Sequence, residues 1–200
     1  MSIPKEVASV PDIQLKPVSV LGGFDRKFGA NRVSEITNLA LVSVAVPQSK
    51  EHELENVLQE VWQLSFPSPV MSEFSSEIRA IQSTPDQLMF LFSHDIPNAA
   101  EHISAKLGTN GYTTDQTDAW VMIEVSGPDV LAALERLCPI DLDQSVFAVG
   151  AYARTVMEHM GGTIVRLDSD RFLLMSASSS AGSFLHAVTQ SFDWVTEAPQ

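Results

Sequence analysis

Residues 119–137 read Ala-Trp-Val-Met-Ile-Glu-Val-Ser-Gly-Pro-Asp-Val-Leu-Ala-Ala-Leu-Glu-Arg-Leu, and the change of period at Gly127-Pro128 decides the fold class. Before it, Trp120, Met122 and Glu124 share one face and Val121, Ile123 and Val125 the other, the period of two that makes a strand. After it, Val130, Leu131, Leu134 and Leu137 recur at helical spacing. Pro128 suits a first helical position, where its missing N–H costs nothing, and Asp129 complements the positive end of the helix dipole. The first half carries the same alternation. Residues 33–46 read as a strand closed by Pro47, and residues 50–64 as a helix with Leu54, Val57, Leu58 and Val61 on one face. Phe66-Pro67-Ser68-Pro69 ends that helix. Residues 77–82 and 87–92 are strands around the turn Ser83-Thr84-Pro85-Asp86; Leu88, Phe90 and Phe92 share one face and Met89 and Leu91 the other. A helix over 97–107, started by Pro97 and capped by Gly108, and a strand over 112–115 complete the order strand, helix, strand, strand, helix, strand, which is ferredoxin-like.

The second half repeats part of this scheme. Strands are expected over 147–158, with a bend at Gly150, over 163–167 and over 172–177, with Asp168-Ser169-Asp170 as a hairpin loop. A last helix over 179–192 buries Phe184, Leu185, Val188 and Phe192. Residues 1–30 read as an extended arm. Pro4, Pro11 and Pro17 interrupt any helix, while Val7, Val10, Ile13, Phe24 and Phe28 give it apolar surface to lay on something.

Composition narrows the function classes. The 200 residues include 44% hydrophobic and only 18% charged side chains, against about 25% charged in an ordinary soluble domain, so disorder is excluded and a partner-covered surface is suggested. Asp and Glu outnumber Lys and Arg by 25 to 12, and residues 51–150 hold three bases against sixteen acids. Such a chain lacks the basic footprint of a nucleic-acid binder and repels anionic lipid. The longest apolar run, residues 39–46, is too short for a membrane helix. The N-terminus has no apolar leader, and Cys138 is a lone thiol, so a cytoplasmic location is expected.

Candidate chemistry is sparse. His52, His94, His102, His159 and His186 form no ligand spacing, and no GxGxxG or GxxxxGK[ST] is present. His94-Asp95 fits a turn hydrogen bond, Asp141 and Asp143 a loop pair, and Ser178-Ser179-Ser180 a helix N-cap rather than a nucleophile elbow. Cys138 reads as a small buried hydrophobe. From the residues alone no catalytic, cofactor-binding or metal-binding set is assigned.

The string from Asp118 through Ile123-Glu124-Val125-Ser126-Gly127-Pro128 to Cys138-Pro139-Ile140-Asp141-Leu142 continues through Phe147, Gly150, Ala153-Arg154-Thr155, Val165-Arg166-Leu167 and Asp170-Arg171-Phe172-Leu173-Leu174. It resembles the gamma subunit of heterotetrameric sarcosine oxidase and, more distantly, the folate-binding aminomethyltransferases. In the first half only Pro85 and Asp86 fit the Gly-Pro-Asp expected there, and no Trp-Leu follows. The resemblance implies an α+β fold of two ferredoxin-like lobes, over 31–117 and 118–200, behind the arm of residues 1–30. It implies alpha, beta and delta subunits as partners in a complex that oxidises sarcosine to glycine with O2, releases hydrogen peroxide and passes the one-carbon unit to tetrahydrofolate as 5,10-methylenetetrahydrofolate. FAD, FMN, NAD and tetrahydrofolate would sit in the larger subunits and zinc in delta, with none in this chain. In the transferases a Gly-Gly turn leads to acids that handle folate. Here Met160-Gly161-Gly162 is followed by Thr163-Ile164-Val165-Arg166, and Glu158 and Asp168 are the nearest carboxylates. The alternative is a free-standing folate-binding protein or aminomethyltransferase-like enzyme. Such a protein should cluster its bases, and after Arg136 only Arg154, Arg166 and Arg171 are offered.

Overall fold

The computed structural model describes residues 18–93 and 98–197. The strands are β1 (Asp25–Phe28), β2 (Asn31–Glu35), β3 (Leu39–Ala45), β4 (Glu73–Phe74), β5 (Ile78–Thr84), β6 (Gln87–Ser93), β7 (Tyr112–Asp115), β8 (Trp120–Ser126), β9 (Tyr152–Met157), β10 (Met160–Asp168) and β11 (Arg171–Ala177). The helices are α1 (Glu51–Trp62), α2 (Ala99–Leu107), α3 (Val130–Glu135) and α4 (Ala181–Glu197). Two antiparallel sheets result, ordered β4-β5-β6-β3-β7 and β1-β2-β8-β11-β10-β9.

Strands with apolar residues on both faces must be covered on both faces, and these are. In β6, Leu88, Phe90 and Phe92 pack with Leu54, Leu58 and Trp62 of α1 and Ile103 and Leu107 of α2. Met89 and Leu91, on the other face, meet Met122, Leu173 and Met175 of the second sheet. In that sheet Val121, Ile123, Val125, Phe172 and Leu174 pack under α3 and α4, against Leu134, Phe184, Val188 and Phe192. The layers therefore run helices, sheet, sheet, helices, with a shared apolar layer between the sheets. The fold is the expected one, α+β with two ferredoxin-like lobes and helices on one face of each sheet.

The division of the chain between the lobes differs from the expectation. The one strand read over 33–46 is two strands in different sheets: β2 pairs with β8, and β3 pairs with β6 and β7. β2 holds only Val33 as an apolar residue while β3 is almost wholly apolar, and the crossing at Ile36-Thr37-Asn38 separates them. In the second lobe β8, β10 and β11 are the first three ferredoxin strands, and β2 takes the fourth place beside β8. Residues 31–35 thus complete the second lobe from the N-terminal side. The arm is likewise corrected over residues 18–30. β1 extends this sheet, and Phe28 is buried against Phe192, with ring centres 5.8 Å apart. Residues 1–17 lie outside the described residues.

The same junction explains the Ser-Gly-Pro string. Gly127 has φ of 124°, and a Cβ there would stand 2.5 Å from Asn31 Oδ1. Asn31 accepts from the Asp129 backbone N–H at 2.9 Å and donates to the Asp129 carboxylate at 2.9 Å. α3 starts at Val130, so Pro128 precedes the helix rather than opening it. The chain is tied there by a side chain from the partner strand. Pro97, the expected start of α2, lies outside the described residues.

Candidate functional site

The polar residues singled out in the sequence are mostly engaged in building loops. Arg166, 1% exposed on β10, is the clearest case. Its guanidinium donates to Leu142 O at 2.9 Å and Phe147 O at 2.8 Å, and to the carbonyls of Asp168 and Ser169 at 3.2 and 2.6 Å. One planar fork holds the 142–147 loop to the β10–β11 hairpin. Asp141 and Asp143 are turn formers in that loop. Asp143 N donates to Asp141 Oδ1, and the Ser145 hydroxyl and N–H donate to Asp143 Oδ1, which holds the Asp143 carboxyl below its usual range. Asp168 accepts from Ser169 N at 2.8 Å. Cys138 is buried, its Sγ 3.6 Å from Leu134 O, and burial raises its pKa, which suppresses thiolate chemistry.

The Gly-Gly reading is corrected. Gly161 and Gly162 lie inside β10, opposite Val156 and Thr155. The loop is Glu158-His159, with Glu158 exposed and left-handed at φ of 54°. Gly162 has a packing reason instead: a Cβ would stand 3.2 Å from Met175 O and 3.5 Å from the Met157 side chain. Glu158 is therefore a hairpin-loop residue and not a strand residue. Ser178–Ser180 forms a 3-10 turn in which Ser180 donates to Ala177 O, with no side-chain cap. His52 lies 3.7 Å from Glu55, His102 stacks on Phe92 at 5.9 Å, and His159 and His186 are exposed. His94 lies outside the described residues. Among the described residues no group of three or more His, Cys, Asp and Glu is placed to hold a metal, and no helix is long and apolar enough to cross a membrane.

The resembling motifs of the two lobes do meet at one place. The Tyr152 hydroxyl donates to Gln82 O, and Arg154 reaches Ser83 O at 3.4 Å. Together with Pro69 and the 82–85 turn these side chains line a hollow of about 310 Å³. Asp86 is held in the turn by the Thr84 hydroxyl at 2.7 Å. Burial raises the Tyr152 pKa and Arg154 opposes it, so the phenol donates as a neutral group. Tyr152 carried no signal in the sequence, because its role depends on pairing between the lobes.

The sequence matches no protein-family model and no curated protein. The structure does find counterparts. It superposes on a chain of heterotetrameric sarcosine oxidase from Corynebacterium sp. U-96, solved with pyrrole 2-carboxylate, with a TM-score of 0.73 and 17% identity, over 86% of this chain and 89% of that one. It also superposes on the glycine cleavage system aminomethyltransferase T of Bartonella henselae, with a TM-score of 0.53 and 11% identity, over 77% of this chain and 44% of that one. The chain spans less than half of the transferase but nearly all of the oxidase chain. Its fold is the aminomethyltransferase-type fold that these proteins share.

Proposed function

We propose that this chain is a gamma-type, non-catalytic subunit of a heterotetrameric sarcosine oxidase, supporting alpha, beta and delta subunits. Those subunits would carry FAD, FMN, NAD and tetrahydrofolate, and delta the zinc. The observation that carries this reading is the near end-to-end superposition on one chain of such an enzyme. Two features of the chain support it. Arg166 donates to four carbonyls, and Asp141, Asp143 and Asp168 each accept from a neighbouring loop N–H, so these groups serve loop structure. Val70, Val146 and Val149 stand exposed on loops joined through the Met71–Ala151 bridge, a place for partner contact. The test is to titrate the isolated chain with tetrahydrofolate and FAD and to assay it with sarcosine. The reading expects no stoichiometric binding and no peroxide. Stoichiometric flavin would overturn the reading, and saturable folate binding with aminomethyl transfer would replace it with the free-standing folate enzyme.

A further inference from the structure

At the end of the β5–β6 hairpin away from Tyr152, the layer between the sheets ends in a cleft of about 450 Å³. Leu91 and Leu173 of the inter-sheet core line it, together with Leu39 and the exposed Phe74. That volume and lining suit a small organic molecule. Arg79 on β5 lines the same cleft. Its guanidinium donates once, to Ser72 Oγ, and its Cζ stands 4.5 Å from the centre of the Phe74 ring. Among the described residues no carboxylate pairs with it, although the chain holds 25 acidic side chains and only 12 Lys and Arg. Burial pushes its pKa down to about 10, and the nearby positive charge of Arg171 acts in the same direction. A partly desolvated guanidinium with spare N–H groups is stabilised by a carboxylate, which its planar fork fits in two-point contact. The acids that line the cleft do not fill this role: Glu77 is exposed, and Glu124 acts on Arg32, which is itself paired with Asp25.

We propose that this cleft binds a small monocarboxylic acid with an apolar body, its carboxylate on Arg79 and its hydrocarbon against Leu91 and Leu173. This site is independent of the subunit role. The probe is hexanoate, titrated into the full chain and followed through the leucine methyl and arginine side-chain NMR signals, with hexylamine as the cation of equal length. Saturable shifts at Leu91, Leu173 and Arg79 are expected with hexanoate and none with hexylamine. Arg79→Gln should weaken hexanoate by roughly ten- to a hundredfold, since hydrogen bonds to a charged group are lost. Ser93→Phe, at the exposed end of β6 on the cleft, should abolish binding while the rest of the spectrum is kept. Unsaturable hexanoate shifts, equal binding of hexylamine, or Arg79→Gln and Ser93→Phe variants that bind like the parent would overturn the proposal.

Discussion

Arg166→Met separates a structural arginine from one kept for an anionic ligand. Methionine fills much of the aliphatic volume of arginine and removes the fork. Four carbonyls lose their donor, but the four are not equal. Leu142 O and Phe147 O are buried with the guanidinium, whereas Asp168 and Ser169 lie at the hairpin edge and regain water. Each orphaned buried acceptor costs about 1–3 kcal/mol, so the two together cost roughly 2–6 kcal/mol. Removing a buried charge that has no carboxylate partner returns part of this. The expected net loss is about 3 kcal/mol, or roughly 6–12 °C in melting temperature for a domain of this size. Urea unfolding with and without the substitution gives the number, and amide exchange should show the 142–150 loop opening first. A loss below about 1 kcal/mol with an unchanged loop would refute the structural role and return Arg166 to the candidate ligand groups.

Four further substitutions test other parts of the account. Phe28→Ala removes a ring packed on Phe192 and should cost about 3–4 kcal/mol in a denaturant melt; a loss under about 1 kcal/mol would show that β1 is a detachable arm. Burial raises the Glu35 carboxyl, but the Ser19 hydroxyl and the Leu21, Gly23 and Phe24 N–H groups lower it further, so its folded pKa is depressed. Its stabilisation is therefore present above the unfolded value of about 4.3 and is lost as pH falls through the folded value; Glu35→Gln should be less stable than the parent at pH 7 and equal to it in strong acid, and a gap constant with pH would refute this. Glu158→Gly relieves a left-handed residue at the first position of a two-residue hairpin loop and should stabilise the chain by roughly 0.5–1 kcal/mol, while Glu158→Gln should leave turnover of an assembled complex unchanged. A hundredfold fall in that turnover with assembly intact would show that this subunit contributes chemistry.

Local pattern made most elements legible. The period of β6 and β8, the stripe of α1 and the Asp168-Ser169-Asp170 loop are all set by near neighbours. What the sequence concealed depends on long-range pairing. Residues 33–38 are more polar than 39–46, with only Val33 apolar in β2 against six apolar residues in β3, but nothing local says that the two pair into different sheets. Phe28 looked like an arm residue because its partner, Phe192, lies at the other end of the chain. Gly161-Gly162 suggested a turn, yet Gly162 lies inside β10 in close approach to Met175 O across the sheet, while a glutamate takes the left-handed loop position. Arg166 drew attention as a base, and its fourfold use of carbonyls became visible only once loop and hairpin met. Arg79 had no signal at all, since an arginine is unusual only when the fold leaves it without a paired carboxylate.

The subunit role is tested most directly by native mass spectrometry of the tagged chain, purified after co-expression with candidate alpha, beta and delta subunits. The account predicts one copy of this chain in a flavin-bearing heterotetramer that oxidises sarcosine, and a poorly assembled complex when the chain is omitted. A chain that purifies alone or only with copies of itself, beside a fully active complex lacking it, would contradict the account.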